Sequence, residues 1–192
     1  MIDRSIDILI LDAHGVVFNN PFASFLHRLA TMTNQRGDDV LRRWREELRL
    51  PAWTGSISDD EIWHRLSGGQ GDADCWQAIL ESCYSLGPLG DRLDDLPVNL
   101  PVWILSNHRT VWLDRRLRRF GLRQRFEQVI VSQDMGLAKP DVRLFQMVMQ
   151  RIPASKRVLC IDDQMRNLKA ASSVGMRSMG VDEVIKAQTK SR

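Results

Sequence analysis

Several residue types and patterns are scarce in this 192-residue chain, and each scarcity closes a route. The three cysteines, Cys75, Cys83 and Cys160, are odd in number and lack ligand-like spacing. They read as reduced thiols of a cytoplasmic protein rather than as a disulfide framework. No apolar run approaches the roughly 18 residues of a membrane span. The amino terminus runs straight into a strand-like segment, without the basic, apolar and small-residue layout of a secretory signal. Net charge is only +3, too little to argue for nucleic acid. No internal repeat or low-complexity tract is visible. What remains is an ordinary globular composition, 43% apolar and 27% charged. The length suits one domain with an insertion, or two small domains.

The stretch Ile8-Leu9-Ile10-Leu11 is unbroken apolar sequence, as expected of a strand buried on both faces of a parallel sheet. It stops on Asp12, at the carboxyl end where open α/β sheets hold their ligands. Gly15 then allows a tight turn. From Pro101 the pattern alternates. Strands are predicted over 102–105, 129–131, 158–161 and 176–181, with helices over 109–120, 142–150 and 164–174 and a loop over 132–140. A short helix or a frayed tail is expected after Asp182. Such alternation predicts an α/β, Rossmann-like parallel sheet flanked by helices.

Residues 19–87 have no strand signal. Phe22, Phe25, Leu26 and Leu29 recur at helical spacing after Pro21, and Val40, Leu41, Trp44 and Leu48 line a second helix. Pro51 and Gly55 are expected to break that helix. Ser58 and Glu61 have capping-box spacing, and residues 72–86 form a last helix. The division is therefore a core of 1–18 and 88–192 with an all-helical cap inserted at 19–87. Four of the six tryptophans, Trp44, Trp53, Trp63 and Trp76, fall in the insertion. They are expected to hold a small helical module together, with one of them a candidate to line a pocket.

Each buried strand ends on a polar group: Asp12, then Ser106 and Asn107, then Asp162 and Asp163, with Lys139 in the loop after the third strand. Parallel strands place these ends on one edge. Three carboxylates there would repel unless a divalent cation lay between them, and oxygen-only ligands favour Mg2+. The cation would also let the Asp12 carboxylate attack phosphorus despite like charge. Lys139 and the Ser106 hydroxyl would hold the remaining phosphoryl oxygens, and water would resolve the aspartyl phosphate.

Four ordered segments resemble the motifs of the haloacid dehalogenase superfamily. They are Asp12-Ala13-His14-Gly15-Val16, Ile104-Leu105-Ser106-Asn107, Gly136-Leu137-Ala138-Lys139-Pro140-Asp141, and Cys160-Ile161-Asp162-Asp163 running on to Asn167. The insertion resembles the small cap of the subgroup that contains sugar-phosphate phosphatases and dehalogenases, and residues 56–61 are similar to its glucose-1-phosphate phosphatase-like branch. The resemblance implies that Asp12 is nucleophile and metal ligand, with the backbone carbonyl of His14 as a second ligand. It makes Asp163 the main acidic ligand, while Asp162 holds a metal-bound water or supports the site. Asn107 orients the nucleophile or contacts substrate.

The departure is His14, where the family's phosphatases usually carry a second Asp as general acid and base. Imidazole titrates near neutrality and suits both roles, yet an imidazolium beside Mg2+ is disfavoured. Either His14 does this work, or the enzyme is slow or takes substrates with good leaving groups. The expected activity is that of a cytoplasmic Mg2+-dependent phosphomonoesterase for a small phosphorylated metabolite. The rivals are a metal-independent 2-haloacid dehalogenase and a non-catalytic phosphate- or partner-binding member. Seven arginines between Arg109 and Arg125 are expected to form a solvated face, with docking to an acidic partner or to nucleic acid as the alternatives. His27, His108 and Arg109 read as solvated or structural. Neither the substrate nor the oligomeric state is spelled out by the sequence.

Overall fold

The computed structural model describes residues 5–189. Five parallel strands, β1 (Ile8–Leu11), β2 (Val102–Ser106), β3 (Gln128–Val131), β4 (Val158–Asp162) and β5 (Arg177–Gly180), lie in the order β3-β2-β1-β4-β5. Every residue of β1, β2 and β4 is buried. Their side chains alternate between two cores, as the two-residue strand period requires. Leu9, Leu11, Val102, Ile104, Leu159 and Ile161 face one side. Ile8, Ile10, Trp103, Leu105, Val158 and Cys160 face the other.

The second face is covered by α8 (Val142–Met149), through Leu144, Phe145 and Val148, and by α9 (Met165–Ser173), through Ala170 and Ala171. On the first face lie α6 (Thr110–Arg119), through Trp112, Leu113 and Leu117, and Val184 of α10 (Val181–Thr189). The sequence predicts a loop over 132–140, but a short helix, α7 (Ser132–Met135), opens it. Ser132 there binds Trp53 O at 2.6 Å, so a tertiary contact rather than local periodicity holds this turn. A 3-10 turn at Gly90–Asp95 also lies where no element is expected.

The inserted segment is helical as predicted, with α1 (Phe22–Met32), α4 (Asp59–Ser67) and α5 (Ala73–Ser82). Ser58 caps α4 by accepting from Glu61 N at 3.1 Å. The break expected at Pro51 is absent. Instead α2 (Gly37–Arg43) passes through a π-helical stretch, Trp44–Leu48, into α3 (Arg49–Thr54), which ends at Gly55. Pro51 is tolerated because it falls in the first turn after the wider stretch, where the bonding ladder is being re-set.

The two ends of the segment meet. Asn19 N donates to Ser85 O (3.1 Å), Gly87 N to Val17 O (2.8 Å) and Leu89 N to Val16 O (2.9 Å). A Cβ on Gly87 would lie 2.7 Å from the Phe18 carbonyl carbon, so this crossing admits only glycine. Gly87→Ala is expected to destabilise the fold by about 1–3 kcal/mol, the usual range for forced overpacking. Urea unfolding measures it, and an unchanged midpoint would refute the tight crossing.

Candidate active site

Register fixes the site. Leu11 pairs with Ile104 on one side and Ile161 on the other, so the next residues, Asp12, Leu105 and Asp162, stand level at the sheet edge. Asp12 and Asp162 straddle the boundary between β1 and β4. Chain order reverses direction at this boundary, and open sheets bind ligands at such a point. The carboxylates of Asp12, Asp162 and Asp163 each offer an oxygen within 4.8 Å of the others.

Lys139 reaches between them, its Nζ 3.0 Å from Asp12 Oδ1 and 2.6 Å from Asp162 Oδ2. Its backbone is held on both sides by Asn107, whose Oδ1 accepts from Lys139 N (2.7 Å) and whose Nδ2 donates to Lys139 O (2.8 Å). Asp162 is nearly saturated, accepting from Asn167 Nδ2 (2.9 and 3.0 Å) and Gln164 N (2.8 Å) besides Lys139. Asp163 is exposed, and its carboxyl interacts with Asp162 and the Gln164 side chain. A Cβ on Gly15, whose φ is +78°, would lie 2.5 Å from Asp163 Oδ2, so only glycine lets the loop pass there.

Burial pushes Asp12 up to about 7, against the pull of Lys139 and with the help of Asp162. Asp163 is also raised, by burial and by Asp162. Burial alone would lower Lys139, but Asp12 and Asp162 outweigh it and hold the ammonium charged. Formally, three carboxylates face one ammonium. The Ser106 hydroxyl and Asn167 Oδ1 are buried without a hydrogen-bond partner among the described residues. An all-oxygen donor set with excess negative charge fits a hard divalent cation such as Mg2+.

His14 lines the same cavity as Asp12, but its ring bonds to Arg116. Its Nε2 lies 2.7 Å from Arg116 Nη1, and its ring stacks on Tyr84 at 5.4 Å. Guanidinium only donates, so Nε2 accepts and the ring proton is on Nδ1. Burial, Arg116 and Lys139 all hold the imidazole well below its usual pKa. The nitrogen that would collect a proton is therefore already engaged.

Arg116 is fully buried, and Arg109 nearly so, which corrects the expectation of a wholly solvated arginine face. Arg116 donates through Nε and Nη2 to Glu81 (3.1 and 2.6 Å) and through Nη1 to His14 and to His108 Nε2 (3.0 Å). Its guanidinium lies 3.2 Å from the Tyr84 ring centroid. Arg109 pairs with Asp59 at 2.6 Å and donates to Ala52 O and Ile57 O. Arg115, Arg118 and Arg119 of this helix are exposed, with Arg118 paired to Asp114 and Arg119 donating to Glu81 O. The sequence signal that could have found Arg116 is its place on the apolar stripe beside Leu113 and Leu117.

A cavity of about 450 Å³ opens above Asp12, Ser106, Asn107 and Lys139. Its far wall comes from the insertion, including Trp44 and Trp53, while Trp63 and Trp76 are buried packing residues. The tryptophans thus divide between lining and core.

Residues 91–175 match the family described as haloacid dehalogenase-like hydrolase. The match covers a little under half of the chain, including β2, β3 and β4. The chain is 30% identical over 88 residues to the pyrimidine 5'-nucleotidase YjjG of Escherichia coli, a match covering 45% of this chain and 39% of that protein. It is 22% identical over 190 residues to the (S)-2-haloacid dehalogenase of Pseudomonas fluorescens, covering 90% of this chain and 82% of that one. A HAD family enzyme of Bacteroides thetaiotaomicron, solved with magnesium and inorganic phosphate, shares the fold at TM-score 0.76 and 21% identity, over 91% of this chain and 93% of the other. The match to the nucleotidase spans about two fifths of that protein's length.

Removing Glu81 leaves the Arg116 charge buried without its counter-ion. Glu81→Ala is expected to lose roughly 3–5 kcal/mol in denaturant unfolding. A loss below about 1 kcal/mol would show that the pair is not a buried one.

Proposed function

We propose that the protein is a Mg2+-dependent phosphomonoesterase acting on a small phosphorylated metabolite through an aspartyl phosphate on Asp12. The observation that carries this reading is the meeting of three carboxylates and Lys139 at the β1/β4 edge, with the Ser106 hydroxyl unpartnered beside them. The magnesium and phosphate bound by the Bacteroides enzyme support it.

Asp12, Asp163 and the backbone carbonyl of His14 would hold the ion, with Asp162 beside them. When bound, Mg2+ supplies positive charge that offsets carboxylate repulsion and polarises the phosphoryl group. Asp12 is pre-positioned, since its Oδ1 accepts from Ala13 N at 2.6 Å and faces Lys139. Its carboxylate bonds to phosphorus as the ester P–O bond breaks. Lys139 and Ser106 bind the transferring oxygens and meet the charge that grows on them. Water then attacks phosphorus, the bond to Asp12 breaks, and inorganic phosphate leaves. Asn107 keeps Lys139 in place throughout, and Asn167 does the same for Asp162.

His14 enters this scheme as a fixed neutral ring, with Nδ1–H as its remaining donor. The leaving oxygen therefore takes its proton from water, which favours substrates with good leaving groups. The likeness to (S)-2-haloacid dehalogenase keeps a carbon-directed reaction as the second reading, one that needs no cation.

Asp12→Asn is expected to lower phosphate release from p-nitrophenyl phosphate by at least about 10³-fold, and chelation of the parent to abolish it reversibly. Activity that survives chelation, together with halide release from a 2-haloacid, would replace this reading with the second. His14→Ala is expected to slow alkyl and activated aryl phosphates by the same factor, within about threefold. A selective loss on the alkyl ester would restore His14 as the acid.

A further inference from the structure

The far wall of the cavity carries more positive charge than one phosphoryl group uses. Leu41, Arg45, Arg49 and Trp53 all line it, at every fourth position of a single helical run. In a regular α-helix, steps of four drift by about 40° each, so such a row would wind off the face within three steps. The π-helical stretch Trp44–Leu48 widens the turn where the row passes through it, which absorbs the drift and keeps both arginines toward the cavity.

Neighbouring arginines of the insertion are tied down: Arg42 to Asp39 (3.3 Å), Arg43 to Gln35 (3.0 Å) and Arg65 to Glu47 (2.7 Å). Arg45 and Arg49 are exposed, and among the described residues no carboxylate lies within ion-pair distance of either. Lys139 and Ser106 already serve the scissile phosphoryl from the opposite wall. On the same wall as the two arginines, the indoles of Trp44 and Trp53 meet edge to face at 5.2 Å.

We propose that Arg45 and Arg49 form a second oxyanion subsite, so that the substrate is a small phosphate monoester bearing a further carboxylate or phosphate at its distal end. The proposal rests on the phosphomonoesterase reading for the reacting end alone. Guanidinium matches both oxyanions in bidentate geometry, and the cavity of about 450 Å³ limits the linking body to metabolite size.

The test compares 4-carboxyphenyl phosphate and 4-phosphonophenyl phosphate with the neutral 4-carbamoylphenyl phosphate, with Mg2+ present. The parent is expected to prefer at least one charged ester over the neutral one by about tenfold or more in kcat/KM, and the larger ratio names the distal group. In Arg45→Gln/Arg49→Gln the ratio is expected to fall to within about threefold of unity. A ratio taken within one preparation is independent of the folded fraction. A parent ratio near one, or a preference that survives in the double variant, overturns the subsite. Calorimetric binding of the same esters to Asp12→Asn, with and without the two arginine changes, separates the two readings. Binding preference without turnover by the parent would sink the phosphatase reading and sustain the subsite, while equal binding of charged and neutral esters would sink the subsite.

Discussion

Three carboxylates crowd one ammonium at the edge between β1 and β4, and the structure is arranged to hold them there. Like charges in a poorly solvated place would separate if side chains alone set their positions. Here the backbone sets them, because parallel register puts Asp12 and Asp162 level. Asn167, Gln164 and Lys139 then occupy the oxygens of Asp162 so completely that it cannot turn away. The remaining imbalance is an excess of negative charge at the sheet edge, the feature on which the proposed Mg2+ site rests.

A second buried charge, Arg116, organises the other side of the loop that follows β1. Its four bonds join α6 to Glu81 of the insertion and to both His14 and His108. His14 is thus not a free substituent at the sheet edge. Its ring is held, and its tautomer set, by a guanidinium 102 positions away in sequence.

Much of the architecture is legible without coordinates, because parallel strands buried on both faces write continuous apolar runs and end on polar residues. β1, β2 and β4 and the groups at their ends follow from that rule, as do α4 through its Ser58 cap and the helical nature of the insertion. Pro51 misled because a proline forbids a continuing helix only when the ladder is regular, and a π-helical turn has no composition of its own. Helix α7 owes its existence to a bond with Trp53, which no local pattern reports. Arg109 and Arg116 look like surface charge in a basic run. Their burial depends on Asp59 and Glu81, which belong to other helices. Trp44 and Trp53 could be placed in the insertion from sequence but not separated from Trp63 and Trp76, since lining and core tryptophans share helical spacing.

The paired crossing of 16–19 with 85–89 has a consequence for how such a chain can change. Because departure and return points are hydrogen-bonded neighbours, the intervening excursion imposes almost no end-to-end constraint on the sheet, whatever its length. Helices can be lengthened, exchanged or re-aimed between those two points while the catalytic edge keeps its register. Selectivity and chemistry can then diverge on separate schedules. Glycine at 87 is the toll such freedom exacts, since the crossing closes for any larger residue.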